Sequence, residues 1–252
     1  MEKARSYFCL FSPLMSNLVV DIGNTRIKSA VFEGKELFEE HTFSSLDLAV
    51  EKWAEISFSK ALVSSVKFAE EELKEKLHFS FHFLSSQTPL PISNGYATPQ
   101  TLGLDRIAAA VGAWSLAGKG PVVAVDLGTC VTYDVVDENG RFLGGVISPG
   151  LEMRAKAMNS FTARLPLVEL KTKPESFVGD TTTACMQSGV WYGLEYELLG
   201  HLEAFRLKFP EIRAFICGGD AHSFVSLAKD HIFVVPNLVL HGLNCILNHN
   251  VE

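Results

Sequence analysis

A strand–turn–strand pattern that occurs twice constrains the fold of this chain more than any other feature. In the first copy, the apolar residues 18–20 lead into Asp21-Ile22-Gly23-Asn24-Thr25, after which apolar and polar residues alternate. The pattern predicts a buried strand, a tight turn and a second, antiparallel strand. Glycine permits a close backbone approach, and amide, hydroxyl and carboxylate side chains around it suit a phosphate with its metal ion.

The second copy lies roughly one domain length further along the chain. Residues 122–125 are again apolar, and they lead into Asp126-Leu127-Gly128-Thr129 and then into a predicted hairpin with its turn at residues 137–140. A single Asp-x-Gly triplet is common, and two ordinary β-turns would be the simplest interpretation. Because both copies share strand, triplet, hydroxyl and hairpin, the pattern favours a duplicated phosphate-binding loop.

Composition and charge argue against some classes of function. Of the 252 residues, 47% are hydrophobic and 20% are charged, which is ordinary for a soluble globular protein with a full core. A net charge of −7 without a Lys/Arg block argues against a nucleic-acid partner, which needs a basic face. No apolar run is long enough to cross a membrane, so no membrane association is expected.

The cysteines and the N-terminus bear on the compartment. The five cysteines are odd in number and widely spaced, without a Cys-x-x-Cys pair. This argues against a disulfide framework or a zinc site and predicts a reducing cytoplasm. Residues 1–16 are predicted to be an N-terminal extension, because their short apolar patch lacks the length and cleavage site of a signal peptide.

Strands alternate with helices and hairpins in both halves, which predicts an α/β fold of two related units. Residues 17–117 are assigned to the first unit and residues 118–252 to the second, each a mixed sheet flanked by helices. A ligand in a cleft between them would meet both Asp-x-Gly loops and a third glycine-marked strand end, Gly218-Gly219.

Two predicted helices begin with polar residues that have a structural and a chemical interpretation. Asp105 lies in the first turn of a helix after Gly103, where a carboxylate favours the helix dipole, and a catalytic base is an equally good interpretation. A longer helix is predicted over residues 182–209. Asp180 or Thr181 would cap it, and the surplus hydroxyls there favour a ligand.

Six motifs together resemble one enzyme family. They are DIGNTRIK at 21–28, GLDR at 103–106, DLGT at 126–129, GGVISPG at 144–150, GDTTTACMQSG at 179–189 and CGGDA at 217–221. In this order they resemble the type III pantothenate kinases, within the acetate and sugar kinase, Hsc70 and actin superfamily. The resemblance implies two duplicated ribonuclease H-like (actin-like ATPase) domains with an interdomain cleft. GDT at 179–181 departs from the GxNT that the family often has there.

The resemblance implies a role for each matching residue. The ATP-binding residues would be Asp21, Ile22, Gly23, Asn24, Thr25, Arg26, Ile27, Lys28, Thr129, Gly218 and Gly219. The pantothenate-binding residues would be Tyr96, Gly103, Leu104, Asp105, Arg106 and Thr182, with Thr181 as an alternative to Thr182. Asp105 would accept the proton of the attacking hydroxyl, and Asp126 would be a ligand of the monovalent cation. The sequence leaves open whether Arg106 pairs with the substrate carboxylate or with the γ-phosphate.

The implied reaction is ATP-dependent phosphorylation of pantothenate to 4′-phosphopantothenate, the entry to coenzyme A biosynthesis. The resemblance further implies Mg²⁺, a K⁺ or NH₄⁺ ion, and a homodimer. Two alternatives are a kinase for another small hydroxylated acid or sugar, and a non-catalytic regulatory accessory protein on the same fold. Asp21, Asp105 and Asp126 argue against the accessory protein, because a pure binding module has little need for all three.

Overall fold

The computed structural model describes residues 16–118 and 120–251, and the chain divides into a unit that ends at Leu84 and a unit that begins at Ser85. The predicted N-terminal extension lies outside the described residues except for Ser16, which begins the first strand. The predicted alternation of strands, hairpins and helices is confirmed in both units.

Within residues 16–84, the first unit contains one five-stranded mixed sheet and two helices. Its strands are β1 (Ser16–Ile22), β2 (Ile27–Glu33), β3 (Glu36–Phe43), β4 (Lys60–Ser65) and β5 (His82–Phe83), and its helices are α1 (Leu46–Trp53) and α2 (Glu70–Lys76). The strand order is β3-β2-β1-β4-β5. The strands β1, β2 and β3 form an antiparallel meander, whereas β4 runs parallel to β1, and β5 runs parallel to β4.

The central strand of this sheet is apolar because it is covered on both faces. Leu18, Val19 and Val20 are all fully buried. Trp53, at the end of α1, packs into the same core, and its indole Nε1 donates to the Ser29 hydroxyl at 3.0 Å. Burial on both faces leaves only the end of β1 for polar groups.

In its described part, residues 85–118 and 120–251, the second unit contains a six-stranded sheet and four helices. Its strands are β6 (Ser93–Asn94), β7 (Val122–Leu127), β8 (Cys130–Val136), β9 (Arg141–Pro149), β10 (Arg213–Cys217) and β11 (Ile232–Val234), and its helices are α3 (Leu104–Ala117), α4 (Leu151–Ser160), α5 (Thr182–Lys208) and α6 (Leu238–Val251). The strand order is β11-β10-β7-β8-β9-β6. Two 3-10 turns, Pro99–Thr101 and Ala221–Leu227, complete the unit.

The two sheets share one topology, which confirms the predicted duplication. In the second sheet, β7, β8 and β9 form the antiparallel meander, while β10 runs parallel to β7, and β11 runs parallel to β10. The order β9-β8-β7-β10-β11 therefore repeats the order β3-β2-β1-β4-β5. In each sheet, the strand that ends in Asp-x-Gly is the central one.

Helix α3 packs with the second unit. A Cβ atom at Gly242 of α6 would lie 1.8 Å from the Ala108 carbonyl oxygen, and a Cβ at Gly112 would lie 2.3 Å from the Leu238 carbonyl oxygen. The two helices thus approach at backbone distance, which only glycine allows. Residues 85–117 therefore pack in the same unit as the second sheet. The predicted boundary at residue 117, which concerns where the duplicated domains divide, stays a prediction.

Candidate active site

The loop after β1 brings the first set of predicted residues together in one hairpin. Asp21 is half-buried near the end of β1, and its cross-strand partner in the antiparallel ladder is Lys28. The backbone N–H of Gly23 donates to the Arg26 carbonyl at 3.1 Å, which closes the turn. Asn24 is exposed at the tip, as are Thr25 and Arg26, whereas Ile22 and Ile27 are buried and anchor both strands. The loop thus presents polar groups to solvent from a fixed base.

The loop after β7 has the same design in the second unit. Asp126 is half-buried near the strand end, and Thr129 is exposed. The N–H of Gly128 donates to the Cys130 carbonyl at 3.0 Å, so this turn is also closed by its own backbone. Both Asp-x-Gly sequences therefore form the predicted strand–turn–strand structure.

The glycine pair after β10 lies against this second loop. Gly218 has a φ angle of +96°, and a Cβ there would lie 2.4 Å from both the Asp126 Oδ1 and the Leu127 carbonyl oxygen. The N–H of Asp220 donates to the same Leu127 carbonyl at 2.9 Å. Only glycine permits this approach. The structure therefore places the loop of Gly218 and Gly219 directly beside the loop of Asp126.

A cation at Asp126 would rely on oxygen donors. Among residues 16–118 and 120–251, no group of three or more His, Cys, Asp or Glu side chains could hold a metal ion. The Asp126 carboxylate supplies one charged ligand. The backbone that packs against it at Gly218 brings carbonyl groups nearby. This donor set fits a hard cation such as K⁺ or Mg²⁺ rather than a transition metal.

Asp105 and Arg106 begin α3 as predicted. The Asp105 side chain is exposed, and its Oδ1 accepts from the Arg106 backbone N–H at 2.8 Å. A Cβ at Gly103 would lie 2.5 Å from this oxygen, which explains why glycine precedes the helix. The first turn of α3 thus fixes one carboxylate oxygen and leaves the side chain open to solvent.

Arg106 has a partner that sequence reasoning did not identify. Its Nη2 lies 2.6 Å from Oδ1 of Asp134 on β8, and its Nε donates to the same oxygen at 3.0 Å. The Asp134 side chain is 0% exposed and that of Arg106 is 10% exposed. Burial raises the pKa of the Asp134 carboxyl, whereas the hydrogen bonds and charge of Arg106 pull that pKa down. Two N–H donors on one carboxylate are the geometry of an ion pair.

The sequence held one signal for this partner. Asp134 is a carboxylate inside the otherwise apolar stretch of residues 133–136, where an unpaired charge would be costly. That cost predicts a counter-ion, but the sequence does not say which of the 22 Lys and Arg residues supplies it. Because two of its donors are committed to Asp134, Arg106 has fewer donors for a substrate anion than the sequence suggests.

Tyr96 lies beside this pair. The Arg106 guanidinium carbon is 5.7 Å from the Tyr96 ring centroid, and Phe142 packs against the ring at 6.0 Å. Gly144 has a φ of +93°, and a Cβ there would lie 3.1 Å from the ring. Tyr96 and Arg106 therefore lie side by side in the second unit.

The threonines at the start of α5 divide into a cap and an exposed residue. The Thr181 hydroxyl accepts from the Ala184 N–H at 3.1 Å, so Thr181 is the N-cap. Thr182 is exposed in the first turn. A Cβ at Gly179 would lie 2.3 Å from the Cys185 nitrogen, which accounts for the glycine before the cap. The assignment of Thr182 to substrate stays a prediction.

Comparisons with known proteins agree with these motifs. The chain matches the sequence family described as type III pantothenate kinase over residues 17–203. A type III pantothenate kinase of Phocaeicola vulgatus is 41% identical over 239 residues, which cover 93% of this chain and 98% of that protein.

Solved structures with low sequence identity share the fold. A Baf family protein from Campylobacter jejuni matches with a TM-score of 0.60 at 24% identity, over 92% of this chain and 98% of that chain. A ROK hexokinase from Thermus thermophilus matches with a TM-score of 0.51 at 15% identity, over 94% of this chain and 100% of that chain. These similarities confirm the actin-like ATPase fold.

We expect Asp134→Asn to lower the free energy of unfolding by about 3–5 kcal/mol, because the charge of Arg106 stays buried without its counter-ion. Denaturant titration measures this loss. Glu169→Gln removes the partner of Lys171 in an exposed ion pair of 2.8 Å and is the matched control, with an unchanged midpoint. An Asp134→Asn midpoint equal to that of the control would contradict the structural importance of the buried pair.

Proposed function

This chain belongs to the type III pantothenate kinase family, and we infer from this membership that it transfers the γ-phosphoryl group of ATP to pantothenate. The products are ADP and 4′-phosphopantothenate, and the reaction is the first step of coenzyme A biosynthesis. The observation that carries this conclusion is 41% identity over 93% of this chain and 98% of a type III pantothenate kinase. No specific observation favours the accessory protein or a kinase for another acid or sugar.

The first loop and Thr129 are proposed to bind the β- and γ-phosphates of ATP. Support comes from the exposed Asn24, Thr25 and Thr129, and from the closed turns that carry them. Phosphoryl transfer requires alignment and charge neutralisation rather than covalent chemistry, so backbone N–H groups and hydroxyls on rigid strand ends are suitable. Gly218 and Gly219 are proposed to contact the adenosine.

Asp126 is proposed to hold the monovalent cation, and Asp21 to hold Mg²⁺. Each carboxylate lies near the end of a buried strand, where it is half-buried and where glycine brings the backbone close. When bound, the cations neutralise charge that develops on the transferring phosphoryl group. The protein's own part is to fix the carboxylates in place through the hydrogen-bonded sheets.

Tyr96, Gly103, Leu104, Asp105, Arg106 and Thr182 are proposed to bind pantothenate. The pair of Tyr96 and Arg106 supports this, since it brings a ring and a cation together, and Arg106 directly follows the exposed Asp105 in sequence. Arg106 would contact an anionic group of the substrate through N–H donors that Asp134 does not occupy. Thr182 would supply a hydroxyl, because Thr181 is used by the helix cap.

Asp105 is proposed to be the general base. Its Oδ1 is oriented by the Arg106 backbone N–H, so we assign the other oxygen, Oδ2, to the proton of the attacking hydroxyl. The orienting bond holds the carboxylate at the start of α3. Such a base contributes about 10²–10⁴-fold to the rate.

A homodimer in the cytoplasm is proposed as the working state. Helix α5 buries Val190, Leu194 and Leu198 on one side but exposes Tyr196, whose side chain is 56% accessible. Tyr196 also packs against the exposed Phe177, with ring centroids 6.2 Å apart. An apolar patch of this kind suits a second copy of the chain.

The cysteines support a proposal for the compartment. None of the four cysteines among the described residues forms a disulfide, which suits a reducing compartment. None of the helices in the described part of the chain has the length and apolar character to span a membrane. On the basis of the cysteines, we propose the cytoplasm as the location.

We expect Asp105→Asn to lower kcat by about 10²–10⁴-fold, because the amide cannot accept the hydroxyl proton. Formation of ADP with pantothenate, in a coupled assay, measures the loss, and circular dichroism checks the fold. Asp47→Asn is the matched control, since Asp47 is likewise the acidic first-turn residue of its helix. Near-normal kcat in Asp105→Asn would refute the role as base and leave the helix-dipole interpretation.

Replacement of K⁺ and NH₄⁺ by Na⁺ is expected to lower kcat/KM by about tenfold or more, since a bound cation stabilises charge in the transition state. The same coupled assay measures the loss in buffers that differ only in this ion. Asp126→Asn should remove the difference between the ions, whereas Asp230→Asn, which changes an exposed carboxylate, should keep it. Equal activity of wild type in all three ions would rule out the cation site.

Light scattering of the purified chain is expected to give twice the mass of one chain. Tyr196→Glu should shift the mass to that of a single chain, because a charge in the patch opposes its burial. Phe38→Glu changes an exposed aromatic residue of β3 and serves as the control, with the mass unchanged. A single-chain mass for wild type at assay concentrations would contradict the dimer.

A further inference from the structure

The motif at residues 144–150, GGVISPG, has no chemical role in the proposed reaction, although it belongs to the family pattern. Its last three residues are the end of β9 (Ser148 and Pro149) and the residue that precedes α4 (Gly150), and we call these three residues the support turn. The support turn contacts the second phosphate loop directly. The Gly150 N–H donates to the Thr129 carbonyl at 3.0 Å, and a Cβ at Gly150 would lie 2.1 Å from the Gly128 carbonyl oxygen.

Two charged side chains hold the support turn. Arg154 of α4 reaches back along its helix, and its Nε donates to the Pro149 carbonyl at 2.8 Å. Its Nη2 donates to Glu197 of α5, and Glu197 also accepts from the Ser148 hydroxyl. The support turn is thus bonded to α4 through a carbonyl and to α5 through a hydroxyl.

The pair of Arg154 and Glu197 is shielded enough to be structurally significant. The side chains are only 20% and 22% exposed, and Glu197 accepts a further bond from the Tyr133 hydroxyl at 3.3 Å. Burial raises the pKa of Glu197, but the donors around it outweigh burial and lower that pKa, so the carboxylate is charged at neutral pH. Charge-assisted bonds of this kind are stronger than those between neutral groups.

We propose that Arg154 and Glu197 are positioning residues that hold the second phosphate loop, through the support turn, in the place where it contacts ATP. This inference rests on the proposed function, which assigns Thr129 to the phosphates. The loop is closed by one backbone hydrogen bond of its own, from Gly128 to Cys130, and the support turn packs directly against it, so the support turn contributes to its position. Positioning errors of about 1 Å in such a reaction can cost about 10²-fold in rate.

The experiment compares Arg154→Met and Glu197→Gln with Glu195→Gln. Glu195 is a matched control on the same helix, because its side chain is 15% exposed and pairs with Lys173 at 2.7 Å, away from the support turn. We expect Arg154→Met and Glu197→Gln each to raise the KM for ATP about tenfold, since the loop is displaced. The KM for pantothenate should stay within about twofold, and the melting temperatures should match that of Glu195→Gln. The double variant should be no worse than the more severe single one, because both act through one network.

Two results would overturn the inference. One is a KM for ATP in both variants that equals that of Glu195→Gln. The other is an equal rise in the KM for pantothenate, which would indicate general damage to the fold. If Arg154→Met does not fold, Glu197→Gln and Ser148→Ala, which removes a single hydroxyl, are judged by the same criterion.

A failure of the proposed function would give a different result from a failure of this inference. Wild type would then form no ADP in response to pantothenate. In that case calorimetry of ATP binding decides the inference. A weaker affinity for ATP in Glu197→Gln than in Glu195→Gln supports positioning of the loop, and an equal affinity rejects it.

Discussion

A strand that is buried on both faces can place an unpaired charged group only at its ends, and this constraint shapes both units. Leu18, Val19 and Val20 of β1 are fully buried, as are the apolar residues at the start of β7. The carboxylates of Asp21 and Asp126 therefore come where each strand leaves its sheet, next to the glycine that turns the chain. The same rule that buries the core thus gathers carboxylate, glycine and hydroxyl at one point, which is what a phosphate with its cation requires.

Local features of the fold could be predicted because their signals lie within a few residues. Alternation around Gly23 and Gly128 specified both hairpins, and the hydroxyls at residues 181–183 specified the start of α5, where Thr181 is the cap. Partners distant in sequence could not be predicted. Asp134 meets Arg106 from 28 residues away. The close packing of α3 on α6 depends on two glycines, Gly112 and Gly242, whose spacing in sequence has no periodic signature.

The buried ion pair gives the first turn of α3 a defined position that hydrophobic packing alone would not. Removal of the Arg106 and Asp134 charges from water costs free energy. Their mutual attraction offsets this free energy only in a narrow range of geometries. That geometry fixes the residue after Asp105, whose backbone N–H in turn orients the Asp105 carboxylate. Exposed pairs such as that of Lys171 and Glu169 have no such requirement, since water solvates both groups in many arrangements.

Glycine-rich loops cannot hold their own position, so their support must come from elsewhere in the fold. In the second unit, Gly150 packs on the loop of Thr129, and Gly218 packs on Asp126. The backbone beside Gly150 is in turn held by the hydrogen bond from Arg154 to the Pro149 carbonyl. In the first unit, the turn at residues 23–26 is closed by the bond from Gly23 to Arg26, and the side chains at its tip are exposed. We propose that a loop built in this way gains order from a bound phosphate, which supplies partners for its N–H groups and hydroxyls.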